Sequence, residues 1–96
     1  CHTASLFPRS PLLSNPVQES FAAVKPSGKG WRLTITPLGL QRCGRVVVIV
    51  TGEGKATAVR EVFHGSVNPL VSPVQVLQSL ADKVLWLMDS SAAKLL

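Results

Sequence analysis

Two side chains in this 96-residue sequence have the chemistry to act on a small anionic molecule: the imidazole of His2 and the ammonium of Lys55. An imidazole exchanges protons near neutral pH, which suits it to general acid–base work. Lys55 stands in Thr51-Gly-Glu-Gly-Lys-Ala56, where Gly52 and Gly54 let backbone approach an anion closely. A helix beginning there would point its first N–H groups at that anion, with Lys55 adding a full positive charge. The spacing is not that of a G-x-x-x-x-G-K-[ST] loop, and Ala56 follows the lysine, so nucleoside triphosphate binding is disfavoured. The plain alternatives are a solvated lysine on a turn and a solvated histidine.

Other reactive residues lack the company that chemistry needs. Ser5 has no G-x-S-x-G elbow around it. Cys1 has His2 as its only nearby cationic partner, and neighbouring side chains point apart, which argues against a thiol nucleophile. Neither cysteine belongs to a C-x-x-C pair, and His2 and His64 are far apart with no ligand spacing at either, so metal binding has no support. His64, late in a helical pattern, is most simply a favourable partner of the helix dipole.

The elements that must position these residues are legible from pattern. Arg45-Val-Val-Val-Ile-Val-Thr51 is a β-branched run too short for a helix and apolar on both faces, as in a parallel strand covered on each side. Lys55 to His64 carries Ala56, Val59 and Val62/Phe63 at helical spacing, with Gly65 as a stop. The glycine-bearing turn thus sits at the carboxyl end of a buried strand, where open α/β sheets place their ligands. Trp31-Arg-Leu-Thr-Ile-Thr36 alternates, predicting a strand that buries Trp31, Leu33 and Ile35 and turns Arg32 to the polar side. Thr36 and Pro37 form a cap and first-turn pair for a helix over 37–42. A second capped helix is predicted over 73–81, a buried strand over 84–88, and a turn or two over 90–96 with Asp89 as cap. Residues 1–30, punctuated by Pro8, Pro11, Pro16 and Pro26, read as loop, with one helical turn or extended piece over 17–24. The order implies an α/β layer fold with mostly parallel strands.

Composition narrows the function further. With 46% hydrophobic and 16% charged residues the chain is not disordered, and no apolar run approaches the ~20 residues of a membrane span. A net charge of +5 favours an anionic partner. Lys25, Lys29, Arg32, Arg42 and Arg45 lie close in sequence, but Trp31 is the only aromatic among them and is predicted buried, so they read as a solvated rim rather than a nucleic-acid footprint. Two isolated cysteines point to reduced thiols in a cytosol-like compartment. A strand such as 46–50 needs neighbours and cover that so short a chain barely supplies, and the chain starts at Cys1 rather than Met, so part of a larger domain is expected.

Taken together, these segments resemble one family, the 6-phosphogluconolactonases. His2-Thr-Ala-Ser-Leu-Phe-Pro8 is similar to the latter part of a D-G-H-T-A-S-L-F-P motif, and Arg32-Leu-Thr-Ile-Thr36 to an R-[IL]-T-L-T strand. Val50-Thr-Gly-Glu-Gly-Lys-Ala56 resembles a V-T-G-x-x-K-A phosphate turn and Leu85-Trp-Leu-Met-Asp89 a closing strand. The related glucosamine-6-phosphate deaminases share the fold and the K-A turn, but carry a glutamate five residues after the motif histidine, where this chain has Phe7.

The resemblance implies a three-layer, Rossmann-like α/β domain of which residues 1–96 are the carboxyl-terminal part. It implies cofactor-free, cytoplasmic hydrolysis of 6-phosphoglucono-δ-lactone in the oxidative pentose phosphate route, with neither nucleic acid nor membrane as partner. His2 would be the general base on water, while Lys55, Gly52, Gly54 and Arg32 would hold the phosphate. The motif's aspartate has no counterpart here and Cys1 takes its glycine position, so nothing visible orients the imidazole. The family's amino-terminal half, with its phosphate loop and an arginine, is also expected to be missing, so the 96 residues alone should be inactive. An amino-sugar-phosphate deaminase or isomerase, and a non-catalytic sugar-phosphate-binding module, remain the alternatives.

Overall fold

A computed structural model describes residues 2–96; Cys1, weighed above as a nucleophile, lies outside them. In chain order the elements are α1 (Pro11–Ser14), β1 (Phe21–Val24), β2 (Arg32–Ile35), α2 (Pro37–Arg42), β3 (Val46–Val50), α3 (Ala56–His64) and β4 (Val84–Met88). A 3-10 turn, Glu53–Lys55, leads into α3, and a 3-10 helix, Pro73–Lys83, leads into β4.

The β-branched run and the Val84–Met88 run pair in parallel, from Val46 opposite Val84 to Val50 opposite Met88. This is the strand, turn, helix and parallel strand arrangement that the pattern implied. The proline-punctuated region contributes a strand as well: β1 pairs antiparallel with β2, Phe21 opposite Ile35 and Val24 opposite Arg32. Among the described residues, the strands thus form two separate two-stranded sheets, one parallel and one antiparallel, within an α/β fold. The core gathers Leu6, Leu12 and Leu40 with Val62 of α3 and with Val74, Leu77 and Leu80 of the 3-10 helix.

Local chemistry explains the helix boundaries. Pro37 opens α2, and the Gly39 N–H donates to Thr36 Oγ1 at 2.9 Å, so the predicted cap forms. In α3 the buried residues are Ala56, Val59 and Val62, one per turn on a single face. The segment predicted as a helix over 73–81 is instead wound as a tighter 3-10 helix, with non-helical dihedrals at Leu80. After β4, Asp89 Oδ1 accepts the Ala92 N–H at 2.7 Å, and residues 90–95 form turns rather than a regular helix.

Two burial expectations are corrected. On β2 it is the hydroxyl face that is buried: Thr34 and Thr36 are 3% and 0% exposed, whereas Trp31 and Leu33 are 71% and 73% exposed. The hydroxyls tolerate burial because they are bonded. Thr34 Oγ1 accepts the Ser5 N–H at 3.0 Å and donates to the Ile35 carbonyl at 2.9 Å. Thr36 Oγ1 donates to the Glu19 carbonyl at 2.7 Å while capping α2. On β3, Val46 and Val48 pack on the core but Val47 and Ile49 face outward, with Ile49 72% exposed, so the strand is covered on one side rather than both. Leu85 and Leu87 of β4 share that open face. No helix among the described residues is long and apolar enough to cross a membrane.

Candidate functional site

The segment bearing His2 is pinned from several directions. Thr3 and Leu6 exchange backbone hydrogen bonds, 3.2 Å from the Thr3 N–H and 2.8 Å from the Leu6 N–H, closing a tight turn. Ala4 sits inside it at φ 49°, in the left-handed region that costs a non-glycine residue about 1 kcal/mol or more. Full burial of Leu6 and the Ser5 bond to Thr34 supply the anchorage that offsets this strain. The turn leaves His2 exposed, with its ring stacked on Phe7 at 4.7 Å between centroids and 12° between planes. Phe7 in turn carries the Lys29 ammonium 5.2 Å from its centroid. Motif spacing did not disclose this stack. A five-residue offset in a turn has no fixed geometry, although an aromatic residue beside a candidate base was itself visible in the sequence.

At the carboxyl end of β3 the chain enters the 3-10 turn through Gly52, whose φ of 92° favours glycine. The Gly52 N–H donates to both carboxylate oxygens of Asp89, at 3.1 and 3.0 Å. Lys55 donates its backbone N–H to the Gly52 carbonyl at 3.1 Å, and Ala56 donates its own to Glu53. The amides of residues 52, 55 and 56 thus already have acceptors within the protein. What the turn presents to a ligand from Lys55 is its side chain.

His2 and Lys55 line one cavity of about 500 Å³, within the usual range for small-molecule sites. Its wall runs from His2, Thr3 and Ala4 across Val50 and Thr51 to Lys55, with Val59 and Val62 of α3 behind. An apolar wall flanked by an imidazole and an ammonium suits a small anion that must be oriented as well as bound. Of the remaining residues singled out from sequence, Gly52 and Gly54 shape the turn without lining this cavity. Arg32 is exposed on β2 opposite Val24 and does not line it either. Among the described residues no group of three His, Cys, Asp or Glu is placed to hold a metal ion.

The other cations are not simply a rim. Arg9, Lys25 and Lys29 line a second cavity of about 490 Å³ together with Phe7 and the exposed Trp31, and the Lys25 ammonium lies 5.8 Å from the Trp31 ring centroid. Gln75 was also missed by sequence reasoning. It is buried beneath the loop after α3, accepting the Asn68 N–H at 2.7 Å and donating to the Ser66 carbonyl at 3.1 Å. A glutamine in a helical pattern gives no sign of such a role.

Comparison with known proteins fits this geometry. A family model described as glucosamine-6-phosphate isomerases/6-phosphogluconolactonase matches residues 1–86. The 6-phosphogluconolactonase of Bos taurus is 35% identical over 102 residues, covering 99% of this chain and 37% of its own length. That of Synechocystis sp. is 34% identical, covering 97% of this chain and 38% of its own. The crystal structure of 6-phosphogluconolactonase from Leishmania guyanensis superposes with a TM-score of 0.77 at 29% identity, over 97% of this chain and 36% of that one. The Trypanosoma cruzi enzyme, at 24% identity and a TM-score of 0.78, shares the fold. This chain spans little more than a third of the length of the curated relatives it matches. With the family model matched over most of its length, the chain belongs to the glucosamine-6-phosphate isomerase/6-phosphogluconolactonase family.

Proposed function

We propose that this chain is the carboxyl-terminal part of a cytoplasmic 6-phosphogluconolactonase, a three-layer α/β domain that hydrolyses 6-phosphoglucono-δ-lactone to 6-phosphogluconate. The observation that carries the proposal is the meeting of His2 and Lys55 on one cavity, although they lie in distant parts of the sequence. Lys55 binds the substrate phosphate by a charge-assisted contact, which orients the lactone carbonyl toward His2. His2 removes a proton from water as its oxygen attacks C1, and the tetrahedral intermediate collapses by breaking the bond from C1 to the ring oxygen. The proton held on the imidazole then passes to that oxygen, giving the open-chain acid and restoring neutral His2. Nothing in this sequence of steps requires a cofactor.

Phe7 favours hydrolysis over amino-sugar chemistry. It occupies the face of the imidazole with an apolar ring, so the position that carries a glutamate in the deaminases brings no carboxylate to His2 here. Arg32, which lines neither cavity, is not assigned to the phosphate. The outward apolar face of β3 and β4, with Ile49, Leu85 and Leu87, is the surface that the amino-terminal part of the domain covers, and the 96 residues alone are inactive.

The test is steady-state hydrolysis of the phospholactone by a full-length protein that carries this chain. His2→Ala should lower kcat by about 10²–10⁴-fold with little change in KM, the usual worth of general-base help. Lys55→Ala should weaken binding of 6-phosphogluconate by about 10-fold or more, as loss of a charge-assisted bond does. Undiminished turnover in the first variant, or unchanged affinity in the second, would remove that residue from its role.

A further inference from the structure

We propose that Asp89 is a positioning residue for the phosphate turn: with Lys94, it holds the segment from Gly52 to Lys55 at the edge of the cavity without touching the ligand. The inference rests on the lactonase reading above and adds a third residue to the site. Asp89 directly follows β4, whose last residue, Met88, pairs with Val50 at the end of β3, and its own N–H donates to the Val50 carbonyl at 3.4 Å. Both of its carboxylate oxygens accept the Gly52 N–H, and Oδ1 also accepts the Ala92 N–H at 2.7 Å. One carboxylate therefore ties the first residue of the Lys55 turn to the turn after β4. A second tie joins the same two segments, because the Lys94 ammonium pairs with Glu53.

The geometry makes these ties relevant to Lys55 in particular. The 3-10 turn is one turn long and opens at Gly52, so fixing Gly52 fixes where the Lys55 backbone starts. Gly52 also has the conformational freedom of a glycine at φ 92°, and without an acceptor for its N–H nothing holds that conformation over its alternatives. Asp89 itself does not line the cavity, so it acts through the turn. Its bonds to Gly52 are solvent-exposed, as is the Glu53–Lys94 pair, but its bond from the Ala92 N–H is part-buried, which makes the carboxylate the stronger of the two ties.

The test compares a full-length protein carrying this chain with its Asp89→Ala, Asp89→Asn and Lys94→Ala variants on 6-phosphogluconolactone and on unphosphorylated glucono-δ-lactone. In Asp89→Ala, KM for the phospholactone should rise about tenfold with kcat within about twofold, so preference for the phosphorylated substrate falls by the same factor. Asp89→Asn keeps one acceptor oxygen but loses the charge and the second oxygen, and should raise KM for the phospholactone by about two- to threefold, while Lys94→Ala should raise it by about twofold. Equal losses on both lactones, or an unaltered KM in Asp89→Ala, would overturn the proposal. Should Asp89→Ala not fold, an Asp89→Asn protein with reduced preference for the phosphorylated lactone supports the proposal, and one with unchanged preference overturns it. If the unsubstituted protein hydrolyses neither lactone, the lactonase reading alone has failed. The clamp is then decided by calorimetric titration with inorganic phosphate: about tenfold weaker binding in Asp89→Ala supports it, and equal affinity overturns it.

Discussion

Replacing Phe7 with leucine removes the ring on which His2 rests while keeping a branched apolar side chain against the turn. The stack at 4.7 Å and 12° is the ring contact that the structure gives the imidazole, and the pinned backbone from Thr3 to Leu6 fixes only where the side chain begins. Aromatic pairs of this geometry are worth about 0.5–1.5 kcal/mol beyond area burial. If that energy is what favours the productive orientation of the ring, its loss lowers the fraction of molecules with His2 aligned by about 2- to 13-fold. The expected result in a full-length protein is a fall in kcat of that size with KM for the phospholactone unchanged, since Phe7 does not line the cavity that Lys55 lines. Phe7→Tyr, which preserves the stack, should restore kcat to near the original value. Stopped-flow measurement under saturating substrate reads kcat directly. A Phe7→Leu protein with unchanged kcat would refute the positioning role. A loss of about a hundredfold or more in a folded protein would exceed what a stack can supply and place Phe7 in a different role.

Two further predictions concern what holds the site in place. Thr36→Val deletes the hydroxyl that caps α2 and leaves the Gly39 N–H and Glu19 carbonyl short of a partner. Denaturant unfolding should show a loss of about 2–4 kcal/mol, the sum of a cap and a buried unmet hydrogen bond, and a change below about 0.5 kcal/mol would contradict this account of Thr36. Ile49→Lys places a charge on the open face of β3, which the proposed amino-terminal part covers. A full-length protein should lose about 3 kcal/mol or more, whereas a change within about 0.5 kcal/mol would show that this face is solvated.

Local features of the sequence were sufficient for β3, α2, α3 and β4. Five β-branched residues between Arg45 and Thr51, the Thr36-Pro37 cap, and the spacing of Ala56, Val59 and Val62 each express a preference within one turn or one strand, so neighbouring residues decide the outcome. The glycine-bearing turn before Lys55 was legible for the same reason. The winding of 73–83 as a 3-10 helix was not, because the two helical forms share the proline start and nearly the same apolar spacing.

The sequence by itself determined the two chemical groups, the turn that carries one of them, and the motifs that place the chain in its family. Only the tertiary structure decided that His2 and Lys55 share a cavity, that Phe7 stacks on the imidazole, and that Asp89 takes up the Gly52 N–H. It also decided which side of β2 is buried. Alternation shows that a strand has two faces, but the buried one is whichever meets a partner, and the bonds that decide it for Thr34 and Thr36 are made with Ser5 and Glu19, from other parts of the chain. Contacts between segments distant in sequence depend on how those segments pack, and no spacing within one segment contains that information.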